Sequence, residues 1–182
     1  MKDEVVFYER QRFSQSWAIL IIGLVNALFI FGCIMQLGMG KSWGNHPMDN
    51  TMLIIVTAIV TLLTISFFFS GLDTVINKEG VYFKLFPFCW KYKSFPWDMV
   101  SKAYVRKYNP ILEYGGWGIR YRIGGIRFNS GEIGRSKMNI AYNISGNMGL
   151  QLELANGKRV LIGTRKPAEM EDVLQKLNKN FT

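Results

Sequence analysis

Two stretches near the N-terminus constrain this chain more than anything else in it: Trp17–Met39, 23 residues, and Met52–Leu72, 21 residues, carry no charged side chain. As helices rising about 1.5 Å per residue they extend roughly 34 Å and 31 Å, against a bilayer hydrocarbon core about 30 Å thick. Buried helices of soluble proteins seldom hold more than about 18 uncharged residues, and two in succession are not expected. The first stretch is also much longer than the apolar segment of a cleaved signal peptide, and no A-x-A site follows it, so it reads as a retained signal anchor. The 12 residues between the stretches, Gly40–Thr51, include Gly, Asn and Pro and suit only a turn between antiparallel helices. The organisation expected is an N-terminal arm (1–16), a transmembrane helix (17–39), an external linker (40–51), a second transmembrane helix (52–72) and a soluble domain (73–182).

Orientation follows from where Lys and Arg flank the apolar stretches, because basic flanks stay on the cytoplasmic side. The linker has Lys41 alone, whereas Lys2, Arg10 and Arg12 precede the first stretch and Lys78, Lys84, Lys91 and Lys93 follow the second. Both termini are therefore expected in the cytoplasm of a cell (inner) membrane protein, with Trp17 and Trp43 as interfacial anchors. The net charge of +9 lies wholly in the soluble domain: 4 basic and 4 acidic residues precede Asp73, leaving 18 of the 22 basic and 9 of the 13 acidic residues after Leu72. An anionic leaflet or a nucleic acid would attract such a domain. Cys33 sits in the first stretch and Cys89 in the domain, too differently placed for a disulfide framework.

After Asp73 the hydrophobic period falls to two, with breaks at turn residues. Val81, Phe83 and Leu85 alternate with Tyr82, Lys84 and Phe86 after a turn at Asn77–Gly80. Further strands are expected around Tyr92–Phe95, around Ala103 and Val105, around Ile119, Tyr121 and Ile123, and at Tyr142–Ser145. Leu150, Leu152 and Leu154 lead into Asn156-Gly157, the signature of a two-residue type I′ turn, and Arg159–Ile162 returns. Pro167 suits a first helical position, and Met170, Val173, Leu174 and Leu177 follow helical spacing. About seven antiparallel strands capped by one C-terminal helix make an all-β sandwich or open barrel.

The stretch NISGNMGLQLELANGKRVLIGTRKPAEMEDVL, with INKEGVYFKL and FPWDMVSKAYVRK before it, resembles the bacterial pleckstrin-homology-like (PH-like) domains that commonly follow one or two membrane spans. The resemblance covers most of Asp73–Leu177 and implies a scaffold, which by itself names no chemistry.

The one histidine, His46, lies in the short linker, so a histidine-based triad, base or metal cluster cannot be assembled. Gly115-Gly116-Trp117-Gly118 and Gly124-Gly125 lack the Gly-Lys-Ser/Thr and the βαβ setting of a phosphate loop and read as turns or bulges. No cofactor is expected. Lysines and aromatics interleave at Lys84, Phe86, Phe88, Trp90, Lys91, Tyr92 and Lys93; each lysine near an anionic leaflet is worth about 1 kcal/mol, and Trp and Tyr favour the headgroup layer. Lys84, Lys91 and Lys93 are the candidate lipid contacts, and Arg106, Lys107, Arg120 and Arg122 the candidate contacts to lipid or a partner. Within the apolar stretches, Gly23 and Asn26 share one face, and Thr57, Thr61 and Thr64 recur at helical spacing, the pattern of packing between helices and not of a transport path. The expectation is a non-enzymatic membrane-anchored adaptor or scaffold that binds a protein partner, itself as a homo-oligomer, or membrane lipids through anionic headgroups. A membrane-tethered nucleic-acid binder is the alternative, with an enzyme further behind.

Overall fold

The structure, a computed structural model, describes residues 5–122 and 139–177. The chain divides into two compact units, Phe13–Phe69 and Met1–Arg12 with Ser70–Thr182.

The first unit is a helical hairpin. Helix α1 (Ser16–Cys33) runs on as a π-helical turn, Ile34–Gly38, and α2 spans Asn50–Phe68; both are long and apolar enough to cross a membrane. Asp49 caps α2 by accepting the Thr51 N–H at 3.0 Å, and the Gln36 side-chain amide closes the linker on the Met48 carbonyl and Asn50. Among the described residues of the two helices only Gly32 in α1 and Leu53 in α2 are buried, and most of the large apolar side chains are exposed. Helix α2 stops at Phe68, short of the Leu72 expected from the apolar run, and Gly71 and Leu72 open a strand. Apolarity alone cannot separate a Leu that faces lipid from one that enters a sheet.

The second unit holds two sheets. Strands β1 (Phe7–Arg12), β2 (Gly71–Ile76), β3 (Gly80–Phe86) and β4 (Lys93–Pro96) lie side by side in that order. Strands β5 (Val100–Lys107), β6 (Gly118–Arg122), β7 (Asn139–Asn143), β8 (Met148–Leu154) and β9 (Arg159–Thr164) take the order β5-β8-β9-β7-β6. The short helix α3 (Pro110–Tyr114) follows β5, and α4 (Pro167–Lys176) follows β9. Nine strands thus replace the seven or so expected among the described residues, and the all-antiparallel expectation fails at β7 and β9, which pair in parallel. Periodicity reports which face a side chain takes and is silent on the neighbouring strand. Ile123 and Gly124-Gly125 lie outside the described residues.

Residues 1–16, expected as an arm, contain β1, so the strand-built unit begins before the helices. Its register with β2 runs from Phe7 opposite Ile76 to Arg12 opposite Gly71. The helical hairpin is therefore an insertion between two strands that are neighbours in one sheet. The last hairpin also differs in detail: Gly157 N–H donates to the Leu154 carbonyl and Leu154 N–H to the Lys158 carbonyl, enclosing three residues with Gly157 at φ 79°. That is a three-residue loop closed by a left-handed glycine in place of a two-residue turn.

The core lies between the sheets. Phe7, Ile76 and Val81 form one cross-strand rung and Leu72 and Leu85 belong to another; Phe83 meets Tyr142 of the second sheet at 4.4 Å between ring centroids. Leu150, Leu152, Val160 and Ile162 are buried, and α4 adds Met170, Val173 and Leu174 at the i, i+3, i+4 spacing. The other face of the second sheet is covered around Tyr108, Tyr114, Ala141 and Leu161.

The inward side chains of β1 are Phe7, Glu9 and Gln11, and the two polar ones reach β9. Glu9 is buried and its carboxylate accepts the Thr164 hydroxyl at 2.6 Å and the Arg165 N–H at 2.8 Å. Gln11 donates to the Gly163 carbonyl at 2.7 Å. Hydrogen bonds to a buried charge contribute about 1.5–3 kcal/mol, and loss of one partner exposes the full desolvation cost. Glu9→Ala should accordingly lower stability by about 1–3 kcal/mol, with Glu9→Gln falling between it and the parent. Thermal unfolding of the full chain in detergent measures this, and an unchanged midpoint for Glu9→Ala would show that the stitch contributes nothing.

Burial pushes the Tyr108 phenol up to about 12, against a smaller opposing effect from the Asn143 amide that donates to it at 3.1 Å. Below pH 10 both folded and unfolded chains hold this proton; between pH 10 and 12 only the unfolded chain releases it. Stability should then fall through that window by about 1.4 kcal/mol per pH unit from this group. Comparing Tyr108→Phe with the parent across pH 9 to 12 isolates the contribution, because the variant should show a shallower decline.

Candidate functional site

The seven candidate cations have unlike surroundings. Lys84, on β3, sits opposite Asp73 in the register and its ammonium lies 3.5 Å from that carboxylate, while Arg10 approaches the same carboxylate at 3.4 Å from β1. The Lys84 ammonium also lies 5.0 Å from the Tyr92 ring centroid. Partial burial, then the Asp73 charge, raises the Tyr92 phenol above its ordinary value. Lys93 donates to the Tyr142 hydroxyl at 3.1 Å and stands over that ring, and this hydrogen bond raises its pKa. Arg106 pairs with Glu113 at 2.9 Å and also reaches Gln151 and Tyr114, which fastens α3 onto the second sheet. Arg120 donates to the Trp117 carbonyl at 3.0 Å. Lys107 is exposed beside Asn109 and Glu113 on a shallow depression. Arg122 contributes its backbone to β6, opposite Asn139.

Lys91 belongs to the six-residue loop between β3 and β4, Pro87–Tyr92, and is exposed there with Phe88 at 70% and Trp90 at 78% exposure. A loop of this composition would normally hide its rings. Here the Cys89 N–H donates to the Leu85 carbonyl at 2.7 Å, which reverses the chain at once and turns the next side chains outward. The Trp90 ring meets Phe86 in an edge contact at 5.4 Å between centroids. Lys84 and Lys93 therefore shape the two strands that carry the loop, and Lys91 is the lysine of the set that projects from it.

The helix seam brings together most of the residues expected there. Asn26 donates to the Thr64 hydroxyl at 2.6 Å and to its own helix at the Ile22 carbonyl, and Thr61 donates to the Asn26 carbonyl oxygen at 3.3 Å. Thr57 meets Cys33 at 3.2 Å, about two helical turns further along. Gly23 is the exception: it is exposed with no atom within 4 Å of where a side chain would begin, so it does not belong to the seam. Gly32 takes that role, because a Cβ there would lie 2.6 Å from the Trp43 ring. Trp43, expected as an interfacial anchor, packs onto α1, with Phe29 at 6.3 Å between ring centroids. No helical spacing reveals this, since Trp43 comes from the linker.

Among the described residues no three His, Cys, Asp or Glu side chains converge as a metal site would require. The arrangement offers surfaces and a seam. Replacing Asn26 by Leu should weaken the helix pair by about 1 kcal/mol through loss of its bonds to Thr61 and Thr64. Gly23→Ala should leave it nearly unchanged, and unfolding in mixed detergent micelles compares the two; equal loss from both would place the seam elsewhere. Neither the models of known protein families nor the curated proteins compared with this chain match it.

Proposed function

We propose that the chain is a membrane-anchored adaptor without catalytic activity, whose helix pair spans the cell membrane with both termini cytoplasmic and whose PH-like body binds a protein partner, a second copy or anionic headgroups. The observation that carries this reading is the insertion of the helical hairpin between β1 and β2, where Arg12 stands opposite Gly71. A body joined to two apolar helices through both Arg12 and Ser70 is held at whatever surface those helices enter. The two sheets closed by one C-terminal helix support the PH-like scaffold; the additional strands and the parallel pair depart from its pattern. The basic flanks support the cytoplasmic orientation. A nucleic-acid partner is the weaker reading, because Arg106, Lys84 and Lys93 are already engaged by side chains of the body.

A fragment starting at Asp73 would lack β1 and its stitch to β9, so the test uses the full chain in cells. With Cys33 and Cys89 replaced by Ser, a cysteine at Asn45 in the linker should react with an impermeant thiol reagent, and one at Asn156 in the β8–β9 turn should react only after permeabilisation. The opposite pattern overturns the orientation. Extraction of the same protein in detergent, followed by mass spectrometry of what accompanies it, should return a defined partner or a second copy.

A further inference from the structure

The β3–β4 loop carries a more specific inference, which rests on the membrane-anchored reading. We propose that Pro87–Tyr92 is an interfacial probe that seats Phe88 and Trp90 in the headgroup layer of an anionic leaflet, with Lys91 against lipid phosphate.

Position is the first support. Phe86, the last residue of β3, lies opposite Gly71, and Gly71 lies opposite Arg12. The loop thus leaves the sheet at the strand ends through which the chain enters and leaves its apolar helices. Composition is the second. Two large aromatics stand almost fully in water within three residues of one another, a costly arrangement unless another phase receives them, and an indole is suited to the layer between water and hydrocarbon. Charge is the third. Gly80–Trp97 contains Lys84, Lys91 and Lys93 and no acidic residue, while the nearby Asp73 is flanked by Arg10 and Lys84. Anionic phosphate complements this surface. The loop is also preset: the Cys89 to Leu85 bond, the Phe86–Trp90 contact and the Lys84–Tyr92 pair hold it in the exposed form, so little ordering is left for binding.

Cys89 lies between the two aromatics and serves as the reporter. The full chain carrying Cys33→Ser, labelled at Cys89 with an environment-sensitive fluorophore, is placed in nanodiscs of phosphatidylcholine alone or with phosphatidylglycerol. Lipid bearing a nitroxide near its headgroup then acts as quencher. Strong quenching and a blue-shifted emission are expected in the anionic discs, with little at a label on Asn156→Cys in the background lacking both native cysteines. Phe88→Ser with Trp90→Ser should bring the Cys89 signal down to that control level, and Lys91→Glu should reduce it in anionic discs only. These side chains are exposed, so unfolding midpoints should hold.

Quenching at Cys89 no greater than at Asn156 overturns the proposal and leaves the loop to a protein partner. Equal quenching in both lipid mixtures overturns the anionic assignment. If the Asn45 and Asn156 labelling keeps its sidedness in either case, the anchored reading survives the loss of the probe; if sidedness is lost, both fall.

Discussion

The pairing of Phe7–Arg12 with Gly71–Ile76 is the contact on which the rest of this structure depends. The two strands are separated in the chain by the whole helical hairpin, so closing that loop costs entropy that local turns do not. Their ladder is reinforced by an apolar rung at Phe7, Ile76 and Val81 and by Glu9 and Gln11, which carry the pairing across to β9. Without β1, the edge of β2 would be open and the acceptors for Thr164 and Arg165 would be gone. The first and last thirds of the chain meet in that one strand.

The same sheet illustrates why a count of cations says little about a surface. Asp73 is nearly buried, and the cost of holding its charge there is offset by Arg10 and Lys84 on the flanking strands. Lys93 is drawn to Tyr142 and Arg106 to Glu113, which joins elements of the body to one another. Three of the seven candidate cations are thereby committed to architecture, and Lys91, which projects, is accompanied by the exposed rings of Phe88 and Trp90.

In the helix pair, which is long and apolar enough to cross a membrane, a polar seam supplies an attraction that apolar packing would lack in lipid, where one hydrocarbon surface is as good a neighbour as another. Asn26 satisfies both ends of its amide at Thr64, Thr61 and Ile22, and Thr57 and Thr64 also bond back to their own helix. Small residues matter only where something fills the space they leave, as Trp43 does at Gly32 and nothing does at Gly23.

The sequence by itself determined the apolar helix pair, the alternating strands of the body, the hairpin at Asn156-Gly157, the amphipathic last helix and the meeting of Asn26 with Thr61 and Thr64. All of these rest on short-range spacing, in which side-chain direction follows from the period of a helix or strand. Tertiary structure alone decided that β1 belongs to the body, that β7 runs parallel to β9, that Gly32 and not Gly23 is packed, and that Lys84 and Lys93 are engaged while Lys91 has no partner among the described residues. The inward face of β1 reads Phe, Glu, Gln, with no hydrophobic period to announce it, and its partners lie more than half the chain away. Which strand lies beside another, and which charge finds which carboxylate, depends on groups brought together only when the sheets close, so no local pattern records it.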